Sequence, residues 1–238
     1  MSFVPPPQSP QGKAWIILLT CPWMIGLWQY GLHPAQLQNL LVSLSGQELA
    51  AGTGAVVSML LSVLLLGLFP ASLVWWVFRE RLADYHLGLG DRLRTVRSFL
   101  IALPVVIAGA YFSSLQESAA AGYPLNPDAG KSLGHFAVHA VTYGAFYMAW
   151  EFYFRGFMQR GLTPLCGVGP AIFIQTMASA LAHLGRSPAE MFASILGGLL
   201  WGWLSNRTRS VVSGCLQHAL LGVGLDAFIC LQRAGWWS

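Results

Sequence analysis

Charge is what this chain has least of. Of its 238 residues only 9% are Asp, Glu, Lys or Arg, against 55% hydrophobic residues and a mean hydropathy of +0.56. A soluble globular domain carries about 25% charged residues, so the deficit excludes a water-facing surface over most of the chain. It predicts an integral membrane protein. Cysteine is sparse too: Cys21, Cys166, Cys215 and Cys230 form no C-x-x-C pair and all stand in apolar segments. That pattern predicts buried thiols acting as small hydrophobes. Nor does the chain hold a signal-peptide cleavage pattern, an H-E-x-x-H zinc signature or an internal repeat of the transporter kind. The net charge of +4 does not indicate nucleic acid, because Lys and Arg gather in a few loops, as control of membrane topology requires.

What remains is organised as apolar runs. Residues 1–13, with Pro5, Pro6, Pro7 and Pro10, read as a disordered tail ahead of one transmembrane domain over 14–238. At roughly 20 residues per crossing, the runs predict an all-α polytopic bundle of about seven spans. They fall near 14–32, 53–78, 98–115, 135–161, 165–184, 188–205 and 210–231. The loop over 79–97 holds Arg79, Arg81, Arg92, Arg94 and Arg97. With the N-terminus cytoplasmic, that loop, Lys13, Arg160, Arg207 and Arg209 all lie inside, leaving Lys131, Arg186 and Arg233 outside. The positive-inside rule therefore predicts an N-in, C-out arrangement.

Against this background the few ionisable residues stand out. Tyr147-Met148-Ala149-Trp150-Glu151-Phe152-Tyr153-Phe154-Arg155-Gly156 is an aromatic, apolar helical stretch holding a carboxylate and a guanidinium four residues apart. That spacing puts Glu151 and Arg155 on one helix face, with Tyr147 one turn earlier. Placing each such charge in a membrane helix costs about 2.5–3.5 kcal/mol on insertion scales, so the stretch reads as a functional site. Downstream, His183 closes the fifth span, Glu190 opens the sixth, and His218 and Asp226 share a face of the seventh with Gly222 between them. Plainer alternatives exist for each: a packing histidine, a helix-start carboxylate, a neutralising partner. His139 and Tyr143 extend the polar stripe of the fourth span and read as structural. Together, one Glu and two His suit general-base activation of water and stabilisation of an oxyanion. They also suit a three-ligand zinc site with an open position.

At these residues the chain resembles the CPBP family of CAAX proteases and bacteriocin-processing membrane proteins, also called Abi, over roughly 135–232. The family marks E-E-x-x-x-R on one helix, F-x-x-x-H on the next and H-x-x-x-N near the end. Here the first motif reads Trp150-Glu151-Phe152-Tyr153-Phe154-Arg155, the second centres on His183 with Ser179 in the Phe position, and the third is His218 with Gly222 in the Asn position. The W-E-F-x-F-R-G form, followed by His183-Leu184-Gly185-Arg186-Ser187-Pro188, resembles a sub-type that includes proteases paired with C-terminal sorting signals. The resemblance implies a glutamic-type intramembrane endopeptidase of a bacterial inner membrane, working in the lipid bilayer on a membrane-anchored peptide or protein, without cofactor or nucleic acid. It implies that Glu151 takes the base role with His183, that His218 stabilises the oxyanion and that Arg155 orients Glu151. The alternative to Glu151 as base is that Glu190 supplies the carboxylate from another helix, and Asp226 is a candidate for orienting a histidine. Two alternatives stand beside this: a non-catalytic peptide-binding or immunity protein, and a zinc peptidase using Glu151, His183 and His218.

Overall fold

The computed structural model describes residues 5–235, and every regular element among them is helical. Helix α1 (Pro10–Gly31) begins where Ser9 accepts from the Gly12 amide and Pro10 occupies the first turn, both favoured at helix starts. The expected tail is thus corrected for 10–13, which form the first turn of α1, with Lys13 buried and its ammonium 2.5 Å from Glu80. Residues 1–4 lie outside the described residues. A bend of 63° leads into α2 (Pro34–Ser45).

Helices α3 (Thr53–Phe78) and α4 (Arg92–Ser114) follow. Then comes α5, residues 133–166, which is regular over Leu133–Glu151, widens into a π turn over Phe152–Met158 and ends with Gln159–Cys166. Helix α6 (Val168–Leu181), α7 (Pro188–Thr208) and α8 (Val212–Arg233) complete the bundle. Helices occupy all seven expected stretches. By length and apolarity alone α3, α4 and α8 qualify as crossings, and α1 with α2 makes a fourth if the bent pair counts as one. Trp23, Tyr30, Trp75 and Trp76 stay exposed, as interface-anchoring aromatics do.

Three contacts place the site. Helices α4 and α8 run parallel, joined near one end by Ser98 and Ser213 hydroxyls 2.7 Å apart and near the other by Gln232 donating to Ser114. Helices α6 and α7 run antiparallel, with Gln175 donating to the Gly198 carbonyl at 2.9 Å and Thr176 packed where Gly198 has no Cβ. Helix α5 lies against α3 on one side and α8 on the other. The segment after α3 ties the two halves together. Asp91 N donates to Thr208 O at 2.7 Å, Val211 N donates to His86 O at 3.0 Å, and Ser210 bonds the Gly88 carbonyl.

Candidate active site

The site grows from two matched stripes. On α5, His139, Tyr143, Tyr147, Glu151 and Arg155 recur every fourth residue; on α8, Gly214, His218, Gly222 and Asp226 do the same. Fourth-residue spacing keeps each set on one helix face. The helices run antiparallel, so the stripes close like a zipper: His139 meets Asp226, Tyr147 meets Gly222, and Glu151 meets His218. Two glycines make the closure possible. A Cβ on Gly214 would stand 3.2 Å from Glu151 Oε2, and one on Gly222 would stand 2.0 Å from the Tyr147 hydroxyl oxygen. Small residues on one helix let long polar side chains of the other enter, as membrane helix packing favours.

Glu151 is fully buried, and its Oε1 lies 2.8 Å from His218 Nδ1. A carboxylate only accepts, so Nδ1 carries the hydrogen and Nε2 of the neutral ring is left as an acceptor. The other carboxylate oxygen lies 3.3 Å from Arg155 Nε, but the approach is poorly aligned, and Oε2, Nε and Nη1 make no hydrogen bond. Aromatic neighbours fix the imidazole: Trp201 stacks on it at 4.3 Å and 27°, and Tyr147 lies on it at 4.3 Å. Trp201 is itself held, donating Nε1–H to Gln217 Oε1 at 3.1 Å.

His183 reaches the same space from the turn after α6. Its Nδ1–H donates to the Ser179 carbonyl at 2.8 Å, which leaves its Nε2 an acceptor as well, and its ring meets Trp150 edge-on at 5.7 Å. No hydrogen bond or ion pair joins it to Glu151 among the described residues. The expected Glu151–His183 couple is therefore a Glu151–His218 couple. The reason is register: α5 and α8 bring residues 151 and 218 face to face, whereas His183 lies beyond the end of α6, beside Trp150.

Glu190 stands in the first turn of α7, but Ser187 performs the capping there, accepting from the Glu190 amide at 3.2 Å. The Glu190 carboxylate instead accepts from the Tyr123 hydroxyl at 3.0 Å and lies 3.9 Å from Arg186 Nε. Asp226 orients a histidine, though not one of the expected pair: it accepts from His139 Nε2 at 2.7 Å, both groups fully buried. Tyr123 comes from a loop and carried no sequence signal. Trp201 carried a weak one, as the aromatic of a glycine-rich helix.

These side chains border a cavity of about 340 Å³ whose lining includes Tyr147, Arg155, His183, Glu190, His218 and Gly222. Glu151 sits behind the lining, reached through His218. A second cavity, of about 660 Å³, shares Trp28, Tyr143, Phe146 and Arg186 with the first. No group of three His, Cys, Asp or Glu side chains is gathered to hold a metal among the described residues.

Residues 134–223 match the family model described as type II CAAX prenyl endopeptidase Rce1-like. No curated protein and no solved structure matches the chain. The Rce1-like segment takes in Glu151, Arg155, His183, Glu190 and His218 and ends one residue past Gly222. The likeness supports a membrane endopeptidase in general. It speaks to the family as a whole and does not reach the W-E-F-x-F-R-G sub-type.

Proposed function

We propose that the protein is an intramembrane glutamic-type endopeptidase that hydrolyses a peptide bond near the tail of a membrane-anchored, hydrophobic or lipidated substrate. The observation that carries this reading is the buried Glu151–His218 couple, whose acceptor Nε2 belongs to the same cavity as that of His183. A water between the imidazoles gives one proton to His218 Nε2 while its other hydrogen is held by His183 Nε2. Its oxygen bonds to the substrate carbonyl carbon, and the carbonyl electron pair moves onto oxygen. Glu151 stabilises the imidazolium that forms, by the logic of a carboxylate behind a catalytic histidine. Arg155 balances the buried carboxylate. On collapse the C–N bond breaks and the His218 proton leaves with the amine. No step requires a metal, and we expect turnover to be indifferent to chelators.

The test uses the full chain in proteoliposomes with an internally quenched peptide bearing a farnesylated C-terminal tail. Glu151→Gln and His218→Ala should each lower kcat by roughly 10²–10⁴-fold, the span of general acid–base contributions, while the variants stay folded. Near-normal turnover in either sinks the assignment. Wild-type protein that binds the peptide and cuts nothing is a peptide-binding relative instead. The arginine distribution supports an N-in, C-out orientation, and the membrane we propose is a bacterial inner membrane. Paired reporters fused at the two termini, active on opposite sides, are the expected outcome.

A further inference from the structure

The reaction proposed above puts negative charge on a carbonyl oxygen, and that oxygen needs a hydrogen-bond donor. Neither imidazole can be that donor at the outset. Both Nδ1–H groups are committed, to Glu151 and to the Ser179 carbonyl, and both Nε2 atoms accept. Two further donors belong to residues that also line the cavity: Trp150 Nε1 and Arg155 Nη1 are buried without a hydrogen-bond partner among the described residues, and the Arg155 guanidinium lies beside the Glu151 carboxylate as its counter-charge. Glu190 and Asp226 are carboxylates that already accept hydrogen bonds, and the Tyr123 hydroxyl is spent on Glu190.

Tyr147 remains. Its ring lies on His218 with centroids 4.3 Å apart, and both residues line the cavity. Its hydroxyl occupies the volume that any side chain at 222 would need, 2.0 Å from the position of a Cβ there. Gly222 itself lines the cavity, so the phenol enters beside the imidazole because α8 has no side chain at that turn. Tyr143, whose ring centroid is 4.5 Å away, flanks Tyr147 one helical turn back. A hydroxyl both accepts and donates, so support from a neighbouring phenol leaves the Tyr147 hydrogen able to point at substrate.

We propose that Tyr147 is a catalytic residue whose hydroxyl donates to the oxyanion, and that Gly222 is the glycine which admits it. The phenol gives a hydrogen bond and keeps its proton; no bond to Tyr147 forms or breaks. This assignment rests on the endopeptidase reading, and the experiment separates the two.

Two measurements are made on the full chain: turnover of the farnesylated quenched peptide, and binding of its phosphonate analogue, a tetrahedral anion, against the parent peptide. Tyr147→Phe should lower kcat by roughly 10²-fold, as loss of one oxyanion donor does, with KM within about twofold. It should also erase the preference for the phosphonate. Trp150→Phe should leave kcat within about threefold. Because Tyr147 is buried, a rescue distinguishes chemistry from packing: Gly222→Asn in a Tyr147→Ala background fills the vacated volume and returns a donor, and should recover at least about tenfold in kcat over Tyr147→Ala alone. If wild type cleaves and prefers the phosphonate while Tyr147→Phe matches it within about twofold, the Tyr147 assignment falls and the endopeptidase reading stands. A loss confined to Trp150→Phe likewise overturns Tyr147 as the donor. Wild type that neither cleaves nor prefers the phosphonate overturns both.

Discussion

Hydrogen-bonded polar pairs inside a bundle are costly to break, and two carboxyl–imidazole couples lie one above the other between α5 and α8. Glu151 with His218 belongs to the cavity; His139 with Asp226 does not, since neither residue lines it. Asp226 and His139 therefore separate packing from chemistry. Asp226→Ala leaves a buried histidine without its acceptor, and removal of one partner of a buried pair costs about 3–5 kcal/mol. A much lower thermal midpoint in detergent is expected, with near-normal kcat in the fraction that folds. Asp226→Asn keeps an acceptor for His139 Nε2–H and should lose less than half as much. Sequence spacing made Glu151, Arg155 and Tyr147 legible, because a four-residue interval is a property of one helix. It could not say which histidine meets Glu151, because register between two helices is set by packing. His139, read as structural, is the partner Asp226 needed; the fourth-residue stripe through 139, 143, 147 and 151 held that signal unread.

At the scale of elements, the glycines decide where helices touch. Gly198 leaves room for Thr176, whose Cγ2 would be 2.7 Å from an added Cβ, and Thr is too stiff at χ1 to turn aside. Gly198→Ala should therefore lower stability by about 1–3 kcal/mol, the usual cost of overpacking, with kcat per folded molecule retained. Gly214→Ala should do the reverse. Its Cβ would stand 3.2 Å from the Glu151 carboxylate, so the acid shifts by a few tenths of an ångström. A kcat loss of roughly tenfold is expected, in the range that small misplacement of catalytic groups produces, with the melting midpoint little changed. The π turn at Phe152–Met158 escaped the sequence reading, since its residues are as apolar and aromatic as those of the regular turn before it. Such widened turns recur at functional sites, and here one begins directly after Glu151.

Across the whole molecule, the loop after α3 is a clasp, and His86 is its pin. Its ring lies buried with Nδ1 3.0 Å from Ser205 Oγ, and its carbonyl accepts from Val211 N. Burial, then the charges of Arg160 and Arg209, holds the His86 imidazole down to about 4. Above the ordinary histidine range the ring is neutral whether the chain is folded or not, and the clasp is fully stable. As pH falls from about 6.5, the unfolded chain takes up a proton that folded His86 refuses, and stability drops until about pH 4. Thermal inactivation in detergent should accelerate across that window, and His86→Gln should flatten the dependence. The helical, membrane-suited character of the fold was readable from apolar runs; this clasp was not, because its partners lie more than a hundred residues apart. The zipper between α5 and α8 also orders events in time. During synthesis α5 enters the bilayer before α8 exists, with Glu151 and Arg155 neutralising one another on a single helix. His218 arrives later, with α8. The couple on which the proposed hydrolysis depends therefore forms only once α8 is made, and a nascent chain stalled short of α8 lacks it.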